Sequence, residues 1–164
     1  MPALKVGKTA PDFTLPAMDG KQFSLSEALA RGPVVAAFFK ISCPVCQYAF
    51  PFLERIYKAH AGHNLTIIGI SQNQKKDTAG FLKEYGVTFP VLLEDTDEFT
   101  VSNAYGLTNV PTVFWISPEQ KVEITSVGWS RADMDLINRK AGEANHAPQQ
   151  LFAPGEQVIE FRAG

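Results

Sequence analysis

An α/β fold, one mixed β-sheet flanked by helices, follows from three features of the chain. Apolar runs of strand length alternate with segments whose apolar residues recur at helical spacing. Their order is β-α-β and then α, β, β, α, which builds a sheet covered by helices. Two β-rich runs, 112–116 and 122–127, are separated by a Ser-Pro-Glu-Gln turn and read as an antiparallel hairpin. A length of 164 residues fits one domain, and 45% apolar with 20% charged residues is an ordinary globular balance. A disordered or collagen-like chain is excluded.

Taken in order, residues 12–25 read as a hairpin that turns at Met18-Asp19-Gly20. Ser24-x-x-Glu27 is a capping box, opening a short helix through Ala30 that Gly32-Pro33 stops. Residues 33–40 are almost continuously apolar, the pattern of a strand buried on both faces. A helix then runs to about Ala61, with Phe50, Leu53, Ile56 and Tyr57 at helical spacing and a kink expected at Pro51. Residues 65–70 form a second buried strand, 75–85 a helix stopped by Gly86, and 90–93 a short strand. An acidic-capped helix is expected over about 97–105, with Glu94, Asp95, Asp97 and Glu98 as its solvated start. Residues 132–144 close with a helix that places Met134, Ile137 and Ala141 on one face. The tail from Asn145 carries a strand-like stretch at 157–161, expected either to pack as an edge strand or to stay loose.

The chemistry sits in the two cysteines, Cys43 and Cys46. A disulfide across so short a loop removes little entropy from the unfolded chain, so it is a poor structural staple. Pro44 between them suits the first helical position, where a missing amide hydrogen costs nothing. Cys43 is then the N-cap and Cys46 the third helical residue, with both sulfurs on the first turn. The unpaired amides of that turn favour a thiolate at the exposed Cys43. Cys46 faces inward as the slower, resolving partner. The pair reads as a reversible two-electron couple.

Other function classes lose ground on charge and spacing. Fifteen basic against seventeen acidic residues leave a net charge of −2, which advertises neither nucleic acid nor an anionic membrane. The longest apolar run, 34–39, is far short of the about 20 residues that span a bilayer. The opening Met1-Pro-Ala-Leu-Lys does not lead into a secretory apolar stretch, so the expected compartment is the cytoplasm. Cys43, Cys46, His60 and His63 have a spacing near that of a zinc finger. Cys46 and His60 lie at opposite ends of one expected helix, about 21 Å apart, too far for one ion. The two histidines read as polar residues at a helix end, and no metal is expected. Lys75-Lys76 read as an exposed helix start, since no glycine-rich loop accompanies them.

The strand ending at Lys40-Ile-Ser, then Cys43-Pro-Val-Cys46, with Pro51 five residues on, resembles the thioredoxin-like superfamily. Val110-Pro111-Thr112-Val113-Phe114 looks like its cis-proline loop and the strand after it. Gly7-Lys-Thr-Ala-Pro-Asp-Phe-Thr-Leu and Asp19-Gly-Lys-Gln-Phe-Ser-Leu look like the redoxin branch, which holds peroxiredoxins and thiol–disulfide proteins of the TlpA and ResA kind. The resemblance covers roughly residues 6–144 and leaves 145–164 as an extension. It implies a thioredoxin fold with an N-terminal hairpin, Cys43 as the attacking and Cys46 as the resolving cysteine, and no cofactor. It also implies that Pro111 faces the pair, that Val110 offers backbone groups to an extended protein substrate, and that another thiol system exchanges the electrons. Lys40, three residues before Cys43, is placed to stabilise a thiolate.

The chain departs from the family at three positions. Ser42 stands where a tryptophan is usual, Ala37 where thioredoxin has a buried acid, and Ala49 where ResA-like proteins have a glutamate. Phe38, Phe39, Phe50, Phe52, Phe114 and Trp115 are expected in the core, one or two of them lining the groove in place of the missing tryptophan. Two alternatives compete with exchange. A peroxiredoxin-like peroxidase needs a threonine where Cys43 stands and a distant arginine, and no arginine lies between Arg55 and Arg131. A non-catalytic thioredoxin-like interaction domain would have no use for the intact motif.

Overall fold

The computed structural model describes residues 3–60, 64–145 and 150–164. A hairpin of β1 (Thr14–Pro16) and β2 (Gln22–Ser24) leads into α1 (Leu25–Leu29). The Ser24 hydroxyl accepts the Glu27 amide at 3.4 Å, the capping contact that the sequence announces. The central sheet comprises β3 (Val34–Phe39), β4 (Thr66–Ser71), β5 (Val91–Leu93), β6 (Thr112–Ile116) and β7 (Val122–Val127), in the order β5-β4-β3-β6-β7. β3, β4 and β5 run parallel, while β6 and β7 are antiparallel to their neighbours. The helices are α2 (Pro44–His60), α3 (Lys75–Glu84), α4 (Thr100–Ala104) and α5 (Arg131–Asn145). No helix of the described residues is long and apolar enough to cross a membrane.

All six residues of β3 are fully buried. Val35, Ala37 and Phe39 pack with Phe50, Leu53 and Ile56 of α2, Phe81 of α3 and Ile137 of α5. Val34, Ala36 and Phe38 pack on the other face with Leu25 and Leu29 of α1, and with Val101 and Tyr105. Two-sided burial explains why the strand reads as an apolar run rather than an alternation.

Two expectations are corrected. The helix expected over 97–105 starts at Thr100, because Phe99 takes a left-handed conformation (φ 51°). Glu94 is not solvated: it is 5% exposed and its carboxylate accepts the amides of Val101 (3.3 Å) and Ser102 (2.6 Å). A buried acid from the end of β5 thus caps α4, where an exposed acidic start was expected. His60 ends α2, the helix-end position read from the sequence, and is buried there, 3.2 Å from Asn138 Oδ1. His63 lies outside the described residues.

The described part of the tail, 150–164, is tied down, and its strand lies later than expected. β8 (Trp129–Ser130) pairs with β9 (Phe161–Arg162), not with 157–161 as a whole. A second stripe on α2 holds the approach to β9. Tyr48 Oη accepts the Ile159 amide at 3.1 Å, Phe52 packs on Phe152, and Arg55 pairs with Glu156 at 2.8 Å. Residues 48, 52 and 55 share one face of a helix, so the tail runs along α2.

Buried Glu54 ties α2 to the turn before β5, accepting the Thr88 amide (2.8 Å), the Thr88 hydroxyl and the Phe89 amide (3.3 Å). Glu54→Ala strands these donors and should lower stability by about 3 kcal/mol, read by urea unfolding. The Arg55 guanidinium beside Glu156 holds its carboxyl down at about 2, from an ordinary 4.5. The stabilisation from this pair is therefore complete above pH 4.5 and is lost as pH falls toward 2. A stability gap between the protein and Glu156→Gln should close over that window, and added salt should narrow it at neutral pH.

Candidate active site

β3 ends at Phe39, and its chain turns through Lys40, Ile41 and Ser42 onto the start of α2. That turn is held by the Asn73 side chain, whose oxygen accepts the Ile41 amide at 2.9 Å, and by Gln47, which donates to the Ile41 carbonyl at 3.0 Å. Pro44 occupies the first helical position and Cys46 the third. The Cys43 carbonyl accepts the Gln47 amide at 3.0 Å, the first bond of the helix, so Cys43 is its N-cap as expected.

Cys43 is partly exposed and Cys46 is fully buried; both are free thiols. The Cys46 amide donates to the Cys43 sulfur at 3.2 Å, and the Cys43 thiol lies 3.4 Å from the Val110 carbonyl. Burial first, then the hydrogen bond with Cys43, pushes the Cys46 thiol well above its ordinary range. The Val110–Pro111 bond is cis, and Pro111 leads directly into β6 beside β3. Cys43, Val110 and Lys40 line one open groove of about 440 Å³. Lys40 makes no ion pair among the described residues.

The far wall of this groove comes from Phe99, Ser102 and Asn103, held to the sheet by Glu94 and by Gln72, which donates to Ser102 Oγ at 2.9 Å. All six core aromatics named from the sequence are buried in the two core clusters or against them, and none lines the groove. The aromatic there is Phe99, whose left-handed backbone lifts it out of the helical pattern. Gly164 also lines the groove, and its carbonyl accepts the Asn109 side-chain amide at 3.1 Å. Sequence reading misses this, since a lone glycine carries no pattern of its own. Among the described residues, no three His, Cys, Asp or Glu side chains converge as a metal site.

Such an arrangement supports two-electron chemistry between sulfurs: an accessible thiol at a helix N-terminus and a buried second thiol on the same turn. The AhpC/TSA family profile matches residues 6–125. The chain is 36% identical over 147 residues to the thiol-disulfide oxidoreductase ResA of Bacillus subtilis (strain 168), covering 87% of this chain and 80% of that protein. Among solved structures, a thiol:disulfide interchange protein of the thioredoxin family from Chlorobium tepidum TLS superposes with a TM-score of 0.69 at 30% identity, covering 85% of this chain and 99% of that one. The peroxidoxin BcpB from Mycobacterium tuberculosis superposes with a TM-score of 0.68 at 25% identity, covering 90% and 99%. With a thioredoxin fold, an N-terminal hairpin and a paired-cysteine oxidoreductase site, the chain belongs to the AhpC/TSA family.

Proposed function

We propose that the protein exchanges electrons between its Cys43–Cys46 pair and disulfides or thiols of protein substrates. The observation that carries this reading is the pairing of a partly exposed Cys43, its sulfur 3.2 Å from the Cys46 amide, with a Cys46 sealed beneath it. Cys43 attacks a substrate disulfide as the thiolate, aided by that amide and by the helix N-terminus, and one substrate sulfur leaves. Cys46 then loses its proton and attacks the Cys43 sulfur. The second substrate thiol departs, and the pair is left oxidised for a separate thiol system to reduce. Lys40, along the same groove, supplies positive charge to the reacting sulfurs.

Val110 fits the substrate-pairing role by position. Its carbonyl already faces Cys43, so an extended segment alongside it brings its own disulfide to the sulfur. Pro44 sets the first turn of α2 and so the separation of the two sulfurs.

Peroxide reduction fits the geometry less well. Cys46, which follows Pro44-Val45 at the position a peroxidatic cysteine would take, is fully buried. Arg55 and Arg131 are engaged with Glu156 and Glu160 of the tail rather than with either sulfur.

Cys43→Ser should abolish exchange, while Cys46→Ser should accumulate a covalent adduct through Cys43, visible by mass under non-reducing conditions. An adduct trapped through Cys46 instead would reverse the order of attack. The second test is alkylation of the reduced native protein at up to about pH 9. Iodoacetamide should modify Cys43 and spare Cys46, and unfolding should expose both.

A further inference from the structure

Gly164 lies flat on the peptide of Val110. A Cβ added there would sit 2.3 Å from the Val110 oxygen and 2.9 Å from its carbonyl carbon. Gly128, the residue between β7 and β8, meets the same segment: its Cβ would sit 2.5 Å from the Arg162 carbonyl oxygen and 2.9 Å from the Gly164 nitrogen. Such an approach needs glycine on both sides. Five further contacts hold the segment in place. Arg131 N donates to Glu160 O at 2.8 Å, and the Trp129 indole donates to Ile159 O. Tyr48 Oη accepts the Ile159 amide, β9 pairs with β8, and Asn109 binds Gly164 O.

The Val110 carbonyl therefore faces Cys43 on one side and the segment following β9 on another. We infer that segment 160–164 is a specificity-determining wall of the substrate groove, filling the Gly128 side of Val110 so that a disulfide reaches Cys43 only along the Lys40 and Asn103 side. The reading rests on the exchange activity proposed above and names what that site admits. Small or extended disulfides enter the open groove, while disulfides set in a folded protein surface collide with the wall. The electron path is unchanged, since the wall contributes no reacting group.

Two variants displace the wall without touching the cysteines, Val110 or Pro111. Gly128→Ala drives a Cβ into the Arg162 carbonyl and the Gly164 nitrogen, and Arg162→Pro disrupts the β8–β9 pairing. With dithiothreitol as reductant, initial rates are compared on hydroxyethyl disulfide, a small substrate, and on insulin, a folded one. In both variants kcat/KM for insulin should rise by about tenfold, with KM carrying most of the change, while the small disulfide stays within about twofold. Equal changes on the two substrates, or a loss on insulin alone, would overturn the wall. A misfolded variant loses both substrates and its native thermal transition, and Tyr48→Phe then replaces it, removing only the hydroxyl that accepts the Ile159 amide. Failure of the unsubstituted protein to reduce either disulfide would instead overturn the exchange reading itself.

Discussion

Burial of β3 on both faces is the constraint on which the rest of the molecule depends. A strand with no solvent-facing side chain must be covered by two layers, and α2 with α3 and α5 forms one while α1, Val101 and Tyr105 form the other. The strand delivers the chain to a helix N-terminus at its own C-terminal end, and Cys43 stands at that junction. Its neighbour β6 is antiparallel, so the residue that enters β6, Pro111, arrives beside the same end. The meeting of Cys43 with the Val110 carbonyl at 3.4 Å is thus a product of sheet order. Two segments 67 residues apart are joined with no dedicated loop.

Around that junction the polar groups are unevenly satisfied, and the unevenness is chemical in effect. Glu54 and Glu94 are buried carboxylates whose oxygens are taken up by backbone amides and hydroxyls, so they act as fixed anchors. Lys40 is the opposite case: exposed, at the groove, and without an ion-pair partner among the described residues. Cys46 is fully buried with no acid beside it among the described residues, and burial holds its proton. Among the described residues, the buried carboxylates Glu54 and Glu94 are sequestered, and Lys40 and the α2 N-terminus are left beside the sulfur chemistry.

Much of the fold is legible in the sequence because it is local. The Cys-Pro-x-Cys start of α2, the Ser24 cap and the strands 112–116 and 122–127 each follow from residues adjacent in the chain. What escapes depends on partners distant in sequence. The late start of α4 is a local exception, set by the left-handed backbone of Phe99, which no residue pattern announces. The tail strand forms at Phe161–Arg162 because β8 offers an edge and Tyr48, Phe52 and Arg55 offer a second face of α2. That face is present in the sequence as a 48-52-55 stripe, hidden beside the stronger apolar one through Phe50, Leu53 and Ile56. The placement of Gly164 against Val110 has no sequence pattern, since it records only how close two backbones come.

The five residues of α4 are too few to hold a helix in water by themselves. Their first turn is instead fastened to Glu94, which belongs to the end of the sheet, and to Gln72 through Ser102. Motion of the groove wall is therefore slaved to the sheet. Fraying, the usual fate of so short an element, would strand a carboxylate that is already out of water, and the amides of Val101 and Ser102 open only on the slow timescale of the core. One side of the groove thus has the rigidity of the strands that deliver Cys43, although in length it is little more than a loop.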